Sequence, residues 1–323
     1  MIDWGRRKGI AESILETAGL TPMVRFRRVT RGVRPVICAK IEYCGPSNSV
    51  KDRILPWIVE QAERRGELRP GMTIIEGTTG NTGIATSMVA AVKGYRCIIV
   101  MPEGMSVERR KIDLAYGAEL VLTPGAESDV DLVLDKVKEI MDSAPGSYWK
   151  VGQFENPDNP RAHYLTTGPE IWEQTDGAVD AIVLSQGTGG TITGVARYLR
   201  QRKPQVKVFA VEPSECPLLA RRQWGMHKIE GIGDGFIPPV LDVSLLDGVV
   251  LTTSDESITM AKRMVPLYVP GLLATKQRAD LAVRGRRPGE QFYIAGPNDN
   301  VDHVMKQLSK KVGEGNFHYL LPV

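Results

Sequence analysis

The chain has 323 residues, 42% of them hydrophobic and 24% charged, enough for one large or two modest domains with a well-buried core. Its 41 basic residues nearly balance 38 acidic ones, a net charge of +3, so nothing electrostatic favours nucleic acid or an anionic membrane as a partner. No apolar run approaches the roughly 18–20 residues that span a bilayer, and the opening Met1-Ile2-Asp3-Trp4-Gly5-Arg6-Arg7 lacks the apolar stretch of a signal peptide.

The basic runs, Arg6-Arg7-Lys8 and residues 284–287, are scattered and read as solvated faces. Cys38, Cys44, Cys97 and Cys216 show neither metal-type spacing nor a compact disulfide framework, so no metal site is predicted. Cys38 and Cys97 lie in apolar runs and read as buried thiols. A reduced, cytoplasmic protein is the expectation.

In chain order, residues 36–42 read as a strand and 73–76 as a second, followed by a helix over 82–93. A strand at 97–101 leads to a helix over 106–116, with Ser106 as N-cap and Gly117 just past its end. Residues 119–122 form the next strand and 129–141 the next helix. The unit then repeats as strand 180–184, helix 190–201 and strand 207–211. Strand–helix alternation with short connections predicts an α/β fold, its parallel sheets covered by helices. Two blocks separate, one over about 46–149 and one from about 150, with the Pro-, Gly- and Asn-rich residues 145–159 crossing between them.

Three motifs carry the chemistry. Lys51 sits in Gly45-Pro46-Ser47-Asn48-Ser49-Val50-Lys51-Asp52-Arg53. Glu76-Gly77-Thr78-Thr79-Gly80-Asn81-Thr82-Gly83 follows a strand and opens a helix, as does Gly187-Thr188-Gly189-Gly190-Thr191-Ile192-Thr193-Gly194. A lone lysine means little. With an oxygen-rich loop and a phosphate-type loop it suggests a covalently held, phosphorylated aldehyde, pyridoxal 5′-phosphate. Lys51 must be neutral to attack the aldehyde, which a desolvated pocket favours. The amides of Gly187, Gly189 and Gly190 can approach a phosphate at a helix N-terminus, with Thr188 and Thr191 adding hydroxyls. Taken alone, this loop also fits a dinucleotide, with Glu212 near the position of a ribose-binding acid. That reading leaves Lys51 and the Asn81 loop unexplained. Thr78, Thr79, Asn81 and Thr82 can hold a substrate carboxylate while also capping a helix.

These motifs, with Leu20-Thr21-Pro22, Gln153-Phe154-Glu155-Asn156-Pro157, residues 163–172, Val211-Glu212-Pro213 and Gly231-Ile232-Gly233-Asp234-Gly235-Phe236-Ile237-Pro238, agree in order and spacing with one family. The chain resembles the cysteine synthase and cystathionine beta-synthase group, the fold-type-II pyridoxal-phosphate enzymes, over about two-thirds of its length. The resemblance implies two three-layer α/β/α domains with mostly parallel sheets. Residues 1–45 plus 150–323 would form the larger, cofactor-binding domain, and 46–149 the smaller, substrate-side one. It implies that Asn81 also meets the cofactor's 3′ oxygen, that Gln153 contacts the substrate carboxylate, and that the lysine moves the proton. His163 is then a helix-capping or packing residue, Asp52 and Arg53 a local structural pair, and Cys44 a small core residue. Thr79 stands where the family usually has serine. A homodimer is implied by the resemblance alone.

The implied activity is β-replacement by a transferase, O-acetylserine and sulfide giving L-cysteine and acetate. The implied partners are a small amino acid and a small nucleophile. The C-terminal quarter departs from the pattern. Gly271-Leu272-Leu273-Ala274-Thr275-Lys276-Gln277-Arg278-Ala279 replaces a Gly-x-Ser-Ser-Gly helix start. In Ala295-Gly296-Pro297-Asn298-Asp299-Asn300, Asp299 (or Asn298 in a slipped register) takes the place of the hydroxyl residue facing the ring nitrogen. A carboxylate there would keep that nitrogen protonated and strengthen the electron sink. Other β-replacement or elimination products (cystathionine, diaminopropionate, cyanoalanine), or a weakly catalytic regulatory protein, therefore stay open. Met101-Pro102-Glu103-Gly104 and residues 216–224 are expected to face the substrate entrance, where Arg221 and Arg222 could meet an anionic substrate, although two such arginines are more often just solvated.

Overall fold

The computed structural model describes residues 2–27, 29–125, 130–268 and 318–322. It is α/β with mostly parallel sheets. A short strand β1 (Met23–Arg25) pairs antiparallel with β2 (Val36–Lys40), and α1 (Lys51–Arg65) ends at Gly66, whose φ of 71° suits a residue without Cβ. The expected strand over 36–42 stops at Lys40 because Glu42–Cys44 turn into a 3-10 helix.

Next come β3 (Thr73–Gly77), α2 (Asn81–Lys93), β4 (Arg96–Pro102), α3 (Val107–Ala115), β5 (Glu119–Thr123), α4 (Val130–Ser143) and β6 (Tyr148–Lys150). Ser106 caps α3 by accepting the amide of Arg109, as its position predicts. The four strands form one parallel sheet in the order β5-β4-β3-β6. Period-two alternation sorts its faces. Ile74, Ile99 and Met101 pack against Ile54, Leu55 and Ile58 of α1 and Met88 of α2. Ile75, Ile98 and Val100 pack against Val133 and Val137 of α4. Covered on both faces, β3 is buried throughout.

Two helices, α5 (Asp158–Leu165) and α6 (Thr167–Gln174), lead to β7 (Ala181–Ser185), α7 (Gly190–Arg202), β8 (Lys207–Pro213) and the short α8 (Leu218–Arg221). Then follow β9 (Gly248–Thr252), α9 (Ser254–Tyr268) and β10 (His318–Pro322). A parallel sheet β7-β8-β9 places Ile182, Leu184, Val208 and Ala210 on Val195 and Leu199 of α7. Its other face sets Val183, Phe209 and Val250 against Ile37, Met260 and Met264. Strand β10 is parallel to β2 and runs beside β7, so the two three-stranded sheets abut.

Residues 145–159 are more than a crossing: β6 joins the first sheet beside β3, and α5 begins at Asp158. Cys97 is buried as expected, but Cys38 is half-buried. Cys44 is exposed rather than in the core, because the 3-10 turn carries it outward. Among the described residues, no helix is long and apolar enough to cross a membrane.

Candidate active site

Lys51 is the first residue of α1, and the loop before it is folded around its neighbour Asp52. The amide of Ser47 donates to both Asp52 carboxylate oxygens, at 3.1 and 3.0 Å, and the Ser47 hydroxyl donates as well. Asn48 takes a left-handed φ of 60° to make that turn. Lys51 itself is half-buried. Loss of hydration pushes its amine below the usual lysine range, while the Asp234 carboxylate pulls the other way. The net direction favours the neutral, nucleophilic form.

Arg53 does not pair with Asp52. It donates to Glu170 Oε1 at 2.8 Å, to Glu170 Oε2 at 2.7 Å and to Glu42 Oε1 at 2.9 Å, all buried. Lys40 joins through Glu170 Oε2 at 2.7 Å and the Thr21 hydroxyl at 2.7 Å. Asp52 is already occupied by Ser47, and a helix turns i and i+1 side chains apart. Two cations and two carboxylates thus fix the start of α1 to β2, to α6 and to the segment before β1.

A chain of hydrogen bonds connects three of the remaining predicted residues, Thr82, Gln153 and Thr188, but not Thr78, Thr79 or Asn81. Thr78 is buried and accepts from the amide of Gly80 at 3.1 Å, whereas Thr79 is half-buried and Asn81 is exposed. The Thr82 hydroxyl donates to Gln153 Oε1 at 2.6 Å. The Gln153 carbonyl accepts from Asn159 Nδ2 at 2.8 Å, and the same Nδ2 donates to Thr188 Oγ1 at 3.1 Å. His163 is buried inside α5 and caps no helix: its Nε2 lies 3.1 Å from Thr191 Oγ1 and its Nδ1 lies 2.8 Å from Thr167 Oγ1. Burial first, then the charges of Arg53 and Lys51, hold His163 well below the usual histidine range, so it is neutral. Thr82, Gln153 and the 187–191 loop therefore belong to one neighbourhood, which the Lys51 charge reaches at His163.

The loop fits an anion. Gly189 has a φ of 81°, and a Cβ on Gly187 would lie 2.6 Å from the Gly231 carbonyl oxygen. A Cβ on Gly190 would overlap Asn159 Oδ1. The N-cap residue of α7, Gly189, has no side chain to cap it; the Gly190 amide donates to Thr188 Oγ1 at 3.3 Å, and the next amides of the first turn face the loop, where an anion is favoured. Glu212 rules out the dinucleotide alternative, since its carboxylate accepts the amides of Leu219 at 2.9 Å and Ala220 at 2.8 Å. An amine held toward neutrality, together with a glycine loop that opens a helix, is the donor set that a phosphorylated aldehyde needs.

Met101 and Pro102 end β4 in the core and cannot face an entrance; Glu103 and Gly104 are exposed, as are Arg221 and Arg222. Residues 271–279, Asn298 and Asp299 lie outside the described residues. Two buried groups had no distinguishing signal in the sequence: Asn159, one polar residue in Asn156-Pro157-Asp158-Asn159-Pro160, and Glu76, which stands in a motif noticed for its hydroxyls.

Glu76 accepts the amide of Gly152 at 2.9 Å and that of Gln153 at 3.4 Å. It also lines a cavity of about 230 Å³ with Leu134, Val137, Phe154 and Phe236. Lys51, Asn81 and the 187–191 loop do not line that cavity. Burial pushes the Glu76 carboxyl up from 4.5 to about 7. Between those values the folded chain keeps a proton that the unfolded chain releases, so this group makes stability fall as pH rises from about 4.5 to 7. Glu76→Gln is expected to remove that slope, worth at most about 3 kcal/mol. Urea unfolding of both proteins at pH 5 and pH 7.5 checks this, and parallel pH dependences would refute it.

Residues 14–267 match the family of pyridoxal-phosphate dependent enzymes. Cysteine synthase A of Escherichia coli (strain K12) is 47% identical over 257 residues, covering 77% of this chain and 78% of that protein. Cysteine synthase 3 of Caenorhabditis elegans is 45% identical over 250 residues, covering 77% and 74%. The crystal structure of O-acetyl serine sulfhydrylase isoform 3 from Entamoeba histolytica superposes with a TM-score of 0.82 at 36% identity, covering 98% of this chain and 89% of that one.

Proposed function

The chain belongs to the pyridoxal-phosphate dependent enzymes, and on that premise we propose that it is a cysteine synthase, converting O-acetylserine and sulfide into L-cysteine and acetate. The observation that carries the reading is the bonded path from Thr82 through Gln153 and Asn159 to Thr188, set beside a lysine amine biased to neutrality.

Bound pyridoxal phosphate supplies an aldehyde for the lysine amine and a ring that withdraws the electron pair left when the substrate's α proton departs. The rest is the work of this chain. Lys51 holds the cofactor and, once freed, takes the α proton at its Nζ. Gly187, Thr188, Gly189, Gly190 and Thr191 bind the phosphate through amides and hydroxyls at the start of α7. Thr78, Thr79, Asn81, Thr82 and Gln153 orient the substrate carboxylate at the start of α2, with Asn81 also meeting the cofactor's 3′ oxygen. By the resemblance, Asp299, or Asn298 in a slipped register, would serve the ring nitrogen; both lie outside the described residues.

In this proposal, residues 46–149 form the smaller, substrate-side domain, and 1–45 with 150–323 the larger. The protein works as a cytoplasmic homodimer. A second reading, β-replacement with a nucleophile other than sulfide, is favoured by one fact. The departures at 271–279 and Asp299 fall beyond the residues matched by the family.

The test is borohydride reduction with peptide mapping, followed by mass spectrometry of products from O-acetylserine with sulfide, cyanide and amines. A tag on Lys51 with L-cysteine as the dominant product is expected. A tag with another dominant product would establish the second reading, and no tag would overturn both.

A further inference from the structure

Asn159, the second residue of α5 and 1% exposed, touches both halves of the proposed site. An amide nitrogen carries two hydrogens. Here one is donated to the Gln153 carbonyl at 2.8 Å and the other to Thr188 Oγ1 at 3.1 Å. The reverse orientation would set Oδ1 against the Gln153 carbonyl oxygen, two acceptors facing each other, so the amide has one satisfactory orientation. Oδ1 is buried without a hydrogen-bond partner and faces Gly190, so the side chain grips entirely through Nδ2.

The Thr188 hydroxyl accepts from Asn159 and also from the amide of Gly190 at 3.3 Å. A hydroxyl has two lone pairs and one proton. Both lone pairs are engaged, which leaves the proton for an acceptor in the loop's concavity. At the other end, Gln153 is clamped from both sides, its amide by Glu76 and its carbonyl by Asn159, while its side chain is bonded to Thr82.

We propose that Asn159 is a positioning residue that couples the cofactor-phosphate subsite to the substrate-carboxylate subsite, by fixing Thr188 as a donor and the Gln153 peptide in place. This rests on the cysteine synthase reading of the site. A phosphate that accepts from Thr188 reinforces the orientation in which the hydroxyl accepts from Asn159. That in turn holds the Gln153 carbonyl, so occupancy at one end steadies the other.

The test uses holoenzyme carrying Asn159→Ala, Thr188→Val, or both. Three quantities are measured: the rate at which cofactor is lost on dialysis, the dissociation constant of L-serine from the change in cofactor absorbance, and the thermal midpoint. Asn159→Ala is expected to speed cofactor loss and weaken L-serine, each by about tenfold. Thr188→Val is the decisive variant, because of the two ligands its hydroxyl is assigned to the phosphate and not to the substrate carboxylate. It is expected to weaken L-serine several-fold, an effect that vanishes once Asn159 is alanine. An unchanged L-serine constant in Thr188→Val, or effects that simply multiply in the double variant, would overturn the coupling. Should Asn159→Ala not fold, Thr188→Val decides alone. Unsubstituted protein without a borohydride tag on Lys51 would overturn the functional reading, and the coupling with it. A tagged protein without coupling would overturn only the coupling.

Discussion

Replacing Lys51 with alanine will lower turnover by about a thousandfold, within the range by which a positioned proton carrier accelerates a reaction. It will also abolish the borohydride tag on α1. The chain should tolerate the change, because Lys51 is half-buried and alanine is the best helix former. The thermal midpoint is expected to stay within a few degrees, which separates lost chemistry from lost folding. Lys51→Arg sharpens the argument. Arginine keeps the charge and the reach but cannot be deprotonated in a protein, so it should be as inactive as alanine. A measurable rate in the arginine variant would show that neutrality of the amine is not what the site uses. Because burial lowers the lysine's own pKa, the unsubstituted enzyme gains neutral amine at lower pH than a solvated lysine would. Turnover is expected to rise with pH through that titration.

What the sequence disclosed, and what it hid, follows the range of the interactions involved. Helix α3 was legible because its signals are adjacent: Ser106 at the cap and Gly117 past the end. Strands β3 and β4 were legible as short apolar runs before glycine-rich or proline-containing turns. Helix α1 escapes because Pro56 lies inside it and its N-cap position holds Val50, which has no capping side chain. Strand β6, three residues between proline- and glycine-rich flanks, has too little period to read. The site divides in the same way. Lys51, Asn81 and the glycine-threonine loop announce themselves as contiguous motifs. Asn159 does not, since its meaning lies in Gln153, six residues back, and Thr188, 29 residues on. Arg53 has Asp52 beside it in sequence, while its partner Glu170 stands 117 residues away. A charged residue beside an opposite charge in sequence is not thereby paired with it.

Arg53→Met is expected to destabilise the fold by about 3–5 kcal/mol, the usual result of removing one partner from a buried charge cluster. Methionine fills much of the space but leaves Glu42 and Glu170, both under 4% exposed, facing each other with Lys40 as the remaining cation. The acid limb of stability supplies a second signature. In the intact cluster, despite burial, Arg53 first and then Lys40 hold the Glu170 carboxyl down to about 2. Its stabilisation is complete above its ordinary value of 4.5 and is lost as pH falls toward 2. Without Arg53 that pull weakens and the Glu170 pKa rises, so the variant should show a shallower loss of stability between pH 4.5 and pH 2. Urea unfolding at pH 7 and pH 3 measures both effects; equal losses at the two pH values would contradict the assignment. The consequence reaches the active site through His163, which the Arg53 charge helps to hold neutral. A weaker field there lets His163 take a proton more readily, and a protonated ring has no lone pair to accept from the Thr191 or Thr167 hydroxyl. Cofactor retention by the folded variant is therefore expected to depend on pH where that of the unsubstituted protein does not; equal ratios of cofactor loss on dialysis across that pH range would contradict it.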